Sequence, residues 1–181
     1  MSARFENVHT PLEGLRVLRR LPLGDHRGLL ERMFCLDELT EIVGNRRIVQ
    51  INRTITRKRG TLRGMHFQHS PHAEMKFVSC LRGEVLDVAV DVRPDSPTRY
   101  RWHGVVLSEN NHTTLAIPEG FAHGFQSLTD DCEMLYFHTA TYQPQAESGL
   151  NPRDPLLAIA WPLPIAEMSE RDASHPAIIA P

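Results

Sequence analysis

The chain predicts an all-β protein: a sandwich or barrel of short strands with a few short helices. Two observations carry that expectation. Runs alternating apolar and polar residues recur along the 181 residues, which is the period-two signature of strands. Gly, Pro or Asn/Asp pairs separate many of them, and no βαβ rhythm appears. The clearest run is 84–92, Glu-Val-Leu-Asp-Val-Ala-Val-Asp-Val, with Leu86, Val88, Val90 and Val92 on one face and Asp87, Ala89 and Asp91 on the other. Arg93-Pro-Asp-Ser-Pro97 ends it with turn residues. Residues 47–52, 62–68, 76–81, 102–107, 113–117 and 134–139 read as further strands. Residues 36–43 read as a short helix, and the Pro-rich tail after Trp161 as an arm with one helical turn. Without a repeat, low-complexity tract or linker, residues 1–181 are expected to form one domain.

Bulk properties narrow the partners. A formal net charge of −2 offers nothing global to attract nucleic acid or an anionic membrane. The start, Met1-Ser-Ala-Arg-Phe-Glu, lacks the apolar run of a signal peptide, and no stretch is long and apolar enough to span a bilayer. Cys35, Cys80 and Cys132 form no CxxC and read as reduced packing residues, so a cytoplasmic location is expected.

Two segments suggest chemistry. Arg63-Gly-Met-His-Phe-Gln68 puts an Arg and a His on one strand, and Ile117-Pro-Glu-Gly-Phe-Ala-His-Gly-Phe125 puts His123 behind a Pro-x-Gly turn. Pro118-x-Gly120-x-x-His123 resembles the second half of the cupin signature, which implies a double-stranded β-helix, or jelly roll. A histidine base with cations and no obvious nucleophile favours proton abstraction beside a carbonyl. His66 is the expected base, since a neutral imidazole accepts a proton near neutral pH. Asp172 is the candidate carboxylate behind it, although spacing alone does not select it. Lys76 and Arg63 are the nearest cations to stabilise an enolate oxygen. Tyr136 is the candidate acid on the opposite face of the carbon.

Each residue also fits a structural role. His66 fits a core histidine bonded to backbone carbonyls. Arg63 and Lys76 fit solvated strand positions, and Tyr136 fits a core aromatic. Asp172 fits a helix cap in Ser169-x-x-Asp172. Strict alternation puts Arg63 and His66 on opposite faces unless Gly64 marks a bulge.

Taken together, Gly60–Gln68, Lys76, Gly83–Asp91, Ser96-Pro-Thr98, Ile117–Phe125, Tyr136, Asp25-x-Arg-Gly28 and Asp172 resemble the dTDP-4-dehydrorhamnose 3,5-epimerase family in order and spacing. The resemblance implies a cupin-fold homodimer, free of metal or redox cofactor, acting on a nucleotide-linked 4-keto-6-deoxyhexose. It makes His66 the base, Asp172 its partner, Lys76 the support for the enolate oxygen and Tyr136 the acid. Arg63, Gln50, Asn52, His123 and Tyr142 match positions lining the sugar and diphosphate pocket. Arg27 matches a position reaching across the dimer to the nucleotide, with residues 1–45 contributing to that interface. Glu31 and Arg171 are assigned to substrate binding, and residues 160–181 to a C-terminal arm.

The chain departs from the family pattern at several points. Arg32 replaces a usual Glu and Leu30 a usual Phe. Ile51 stands in the usual Gln-Asp-Asn, and Glu74-Met75 precede Lys76 in place of Gln-Gly. Ala116 and Pro152 replace expected tryptophans. Glu74 adds a carboxylate beside the proposed oxyanion cation. Two other readings of the scaffold remain open. A metal-dependent cupin enzyme needs a second histidine where Gln68 stands. A sugar-nucleotide binder without catalysis needs neither base nor opposing acid.

Overall fold

The computed structural model describes residues 3–178. Met1 and Ser2 of the expected interface segment, and residues 179–181 of the expected arm, lie outside the described residues. Thirteen strands and two short helices are assigned among them. β1 (Phe5–His9), β2 (Arg16–Arg20), β10 (Thr113–Ile117), β7 (Lys76–Arg82), β12 (Cys132–His138) and β5 (Gln50–Thr56) form a six-stranded sheet in that order. β13 (Glu147–Gly149), β6 (Leu62–Gln68), β11 (Phe121–Ser127), β8 (Glu84–Asp91) and β9 (Trp102–Ser108) form a five-stranded sheet. All ladders are antiparallel, and β3 (Leu23–Asp25) and β4 (Gly28–Leu30) make a separate hairpin. The architecture is the expected all-β, cupin-type one.

Three apolar clusters hold the layers together. The first lies between the sheets and includes Leu15, Val78, Val85, Leu107, Leu115, Phe121, Phe125 and Met134. The second covers the outer face of the six-stranded sheet, where Phe34 packs edge-on to Phe77 at 5.3 Å between ring centres. The third covers the outer face of the five-stranded sheet, where Val88, Val90 and Trp102 meet Leu157, Ile159 and Trp161 at the start of the arm, which docks from a few residues before the expected 160. The valine face of β8 is therefore buried under the arm, while Asp87 and Ala89 face the interior. A Trp102 indole bond to the Leu157 carbonyl, at 2.9 Å, fastens the arm to the sheet.

The helix expected at 36–43 is shorter. α1 (Thr40–Val43) has only one turn, and residues 36–39 form the turn that enters it. β5 starts later than expected, at Gln50, and continues to Thr56.

Inward positions change from apolar to polar along the strands. On β12 they run Cys132, Met134, Tyr136, His138; on β7 they run Cys80, Val78, Lys76. This leaves one end of the interior filled by hydrocarbon and the other end open as a polar cavity.

Candidate active site

The cavity has a volume of about 580 Å³ and opens between the sheets. Arg63, His66 and His123 reach it from the five-stranded sheet. Asn52, Thr54, Lys76, Tyr136 and His138 reach it from the six-stranded sheet, and Arg171 and Asp172 from α2 (Glu170–Ala173).

Arg63 and His66 share the cavity because β6 is bulged. His123 pairs with His66 but Phe125 pairs with Arg63, so three steps on β6 oppose two on β11. Gly64 makes this possible with φ +128°. A Cβ there would lie 2.8 Å from the His123 carbonyl oxygen and closer still to the Gly124 Cα.

His66 Nε2 lies 2.8 Å from Asp172 Oδ1. The Gly64 N–H donates to Asp172 Oδ2 at 3.1 Å. Burial alone would raise the Asp172 carboxyl. The His66 bond, the Gly64 N–H and the His66 charge more than offset it and pull the pKa to about 2. Asp172 is therefore an ionised acceptor, and the Nε2–H donates a hydrogen bond to it. Arg171 Nη2 also approaches Nε2, at 3.0 Å, but a guanidinium only donates. The two contacts cannot both be hydrogen bonds of a neutral ring; the carboxylate prevails. Nδ1 is then the nitrogen with a free lone pair. Ser169 caps α2 by accepting from the Asp172 N–H at 3.0 Å, so Asp172 gives only its backbone to the cap and keeps its carboxylate for His66 and Gly64.

Tyr136 faces the cavity from the other sheet. Burial, followed by the charge of Asp87, pushes its phenol well above the ordinary range, so it keeps its proton. Lys76 Nζ is 3.1 Å from Glu74 Oε1 and 3.5 Å from the His66 carbonyl. His123 Nε2 lies 2.7 Å from Asp87 Oδ1, whose other oxygen is buried without a partner.

Other expected site residues lie elsewhere. Glu31 does not reach the cavity; it pairs with Arg20 at 2.8 Å and with His112, because the buried Arg20 guanidinium needs a counter-charge. Arg27 sits on the β3–β4 turn against Asp25, with its side chain 78% exposed. Gln50 and Tyr142 are joined by a bond from the Tyr142 N–H to Gln50 Oε1, outside the cavity lining. Tyr142 is 51% exposed and its hydroxyl donates to Glu147. Within one chain these four do not join His66.

Asp87, His138, Thr54 and Glu167 were not singled out as site residues from the sequence. Asp87 carried a readable signal, a carboxylate with a valine on its far side in the middle of β8. Nothing in the spacing marked His138.

Gln68, at the position a metal-binding cupin needs for histidine, spends its amide on the His72 and Thr141 carbonyls. His66, Asp172 and His175 place ligand atoms within 4.8 Å of one another. The Arg171 guanidinium beside His66 opposes a cation at that point.

Residues 9–179 match the family model of dTDP-4-dehydrorhamnose 3,5-epimerase. The dTDP-4-dehydrorhamnose 3,5-epimerase of Salmonella typhimurium is 39% identical over 171 residues, 93% of each chain. The crystal structure of the Legionella pneumophila dTDP-6-deoxy-D-glucose-3,5-epimerase, in complex with dTDP-4-keto-L-rhamnose, superposes with a TM-score of 0.89 at 38% identity, covering 94% of this chain and 91% of that one. A 3'-monoepimerase from Streptomyces bikiniensis, in complex with dTDP-quinovose, gives 0.86 at 35% identity, covering 93% and 85%. A histidine–carboxylate pair in a cavity between two sheets, and likeness along nearly the whole chain, lead to one assignment: the chain is an epimerase of the dTDP-4-dehydrorhamnose 3,5-epimerase family.

Proposed function

We propose that the protein inverts C3, C5 or both in a dTDP-linked 4-keto-6-deoxyhexose by proton transfer through an enolate. The observation that carries this reading is the His66–Asp172 pair at 2.8 Å facing Tyr136 and Lys76 across the cavity. The 4-keto group acidifies the hydrogens on both neighbouring carbons. His66 Nδ1 takes one of them, and Asp172 stabilises the imidazolium that forms. The electron pair moves onto the C4 oxygen, where the Lys76 ammonium offsets the developing charge. Tyr136 returns a proton from the opposite face. Arg63, held at 3.1 Å to Thr56 Oγ1, presents its remaining donors to the diphosphate. His123, fixed by Asp87, and Asn52 contact the sugar, with Arg171 at the rim. The base and acid stand on different sheets, so one pair serves inversion at either carbon.

The chain acts as one unit and pairs into a homodimer in this reading, in the cytoplasm and in deoxysugar biosynthesis. Leu23, Leu29 and Leu30 on the β3–β4 hairpin are each at least 50% exposed, which suits packing against a second copy. Arg27 at the hairpin turn then extends toward the other copy's nucleotide, and Gln50, Tyr142 and Glu31 act at the rim or interface.

Proton NMR in D2O with dTDP-4-keto-6-deoxyglucose tests the function. Loss of the C3 signal, the C5 signal or both is expected, each at its own rate. Binding of the ketosugar without exchange at either carbon refutes catalysis and leaves a binder.

A further inference from the structure

Lys76 does not stand alone in the cavity. Glu74 Oε1 lies 3.1 Å from its Nζ, and Glu74 Oε2 lies 2.7 Å from His138 Nδ1. All three side chains are about nine-tenths buried, with exposures of 10%, 9% and 11%. Lys76 and His138 are direct cross-strand partners on β7 and β12. The His138 ring stacks on Tyr136 with 6.0 Å between ring centres and 19° between planes.

One carboxylate is thus shared between an ammonium and an imidazole. We propose that Glu74 and His138 are positioning residues for Lys76, and that the charge on His138 sets how much of the ammonium's field reaches the substrate oxygen. This rests on the reading of Lys76 as the cation beside the C4 oxygen.

The argument is one of charge balance. Burial would raise the Glu74 carboxyl, but the His138 bond, followed by Lys76, brings it below its ordinary value, so it is ionised. With His138 neutral, Lys76 and Glu74 cancel, and the cluster has no net charge. With His138 protonated, the cluster carries one net positive charge. An enolate oxygen is stabilised more strongly by the second state, because the Lys76 field is then not cancelled at longer range. In a cavity shielded from water this difference is large.

Other charged groups surround His138. Asn52 Nδ2, from β5, is 3.4 Å from His138 Nε2 and is neutral. Tyr136 on the same strand keeps its proton. Across the cavity stand His66 with Asp172, His123 with Asp87, Arg63, Arg171 and Glu167. None of these lies between Glu74 and its two partners.

Turnover should then have two limbs. Protonation of His66 removes the base and gives the acid limb. Deprotonation of His138 neutralises the cluster and gives the alkaline limb. The test is the pH profile of epimerisation of dTDP-4-keto-6-deoxyglucose by the full chain, from about pH 6 to about pH 9. Glu74→Gln and His138→Gln are expected to flatten the alkaline limb in opposite ways. Glu74→Gln leaves Lys76 uncompensated at every pH and exceeds the native rate at about pH 9. His138→Gln leaves the cluster neutral at every pH, with kcat about tenfold lower or more throughout. Histidine ring NMR of the native protein and His138→Gln should assign to His138 a titration matching the limb.

A purely structural pair gives equal losses in both variants with the native profile kept, which overturns the inference. A limb that moves to lower pH in Glu74→Gln also overturns it, because the limb then belongs to Lys76. Lys76→Met, measured alongside, separates the two readings. Near-native turnover there refutes the role of Lys76 itself, whereas lost turnover with unchanged limbs in the other two variants refutes only the role of Glu74 and His138.

Discussion

Replacing Asp172 by Asn removes one charge from behind the base while keeping the shape. The native carboxylate accepts from His66 Nε2 and from the Gly64 N–H. An Asn amide has one acceptor and one donor, so it cannot do both. If its oxygen faces Gly64, its NH2 faces His66 Nε2, and the ring proton moves to Nδ1, the nitrogen that must accept. If its oxygen faces His66, its NH2 meets the Gly64 N–H, at a cost of about 1–3 kcal/mol for an unsatisfied buried donor. The first arrangement should lower turnover by about 10²–10⁴-fold, the loss seen when a histidine base is held in the wrong tautomer. Stability should change as well. A carboxyl drawn from 3.8 to about 2 contributes about 2 kcal/mol at neutral pH. Because the folded value is depressed, that contribution is complete above the ordinary carboxylate pKa. It is lost as pH falls toward the folded value of about 2. Denaturant unfolding of native and Asp172→Asn proteins should therefore differ at neutral pH and converge in acid. Deuterium exchange at C3 and C5 gives the rate. Exchange within about threefold of native would falsify the tautomer argument, since it predicts a hundredfold loss or more.

Three further outcomes follow from the same geometry. Lys76→Ala should lower kcat more than it weakens binding, by about a hundredfold, because the ammonium acts on charge formed only in the transition state; steady-state kinetics with equal loss in both make it a ground-state contact. Tyr136→Phe should permit deuterium wash-in while impairing net inversion, and normal inversion in product NMR points to another acid. Gly64→Ala forces a side chain onto φ +128° and into the β11 backbone, so a loss of more than about 2 kcal/mol is expected in denaturant melts; a near-native midpoint shows that the bulge can relax.

The strands rich in β-branched or regularly alternating residues were legible in the sequence. β6 and β10 match their expected limits, and β8 differs at one end only. β11 is absent from the expected strands because Phe-Ala-His-Gly-Phe-Gln-Ser does not alternate. All seven residues are buried, since β11 lies between β6 and β8 with the interior on one face and the arm on the other. A strand covered on both sides need not keep a period of two; β8 keeps one through its valines, whereas β11 has no β-branched residue to mark it. The short edge pieces β1, β3 and β4 were missed for the opposite reason: they are too polar or too short to show a period. In the site, the expectation about Gly64 was written in the sequence, because alternation made a bulge the condition for Arg63 and His66 to meet. The pairing of Asp172 with His66 came from the family resemblance and not from local spacing, since 106 residues separate them and only the folded arm joins them. Glu74 was visible as an odd carboxylate beside Lys76, but its second partner, His138, arrives through a β-ladder register that no local pattern encodes.

Asp172 comes from the arm, while His66, the proposed base that it holds, belongs to the sheet. These two parts need not melt together. Segments that dock late and bury less surface open at lower free energy than the scaffold they cover. Gentle warming should therefore silence the enzyme while its β-sheet circular dichroism is still intact, and cooling should restore it. Heat inactivation would then report the fastening of one peripheral helix turn, whatever the melting point of the barrel beneath it.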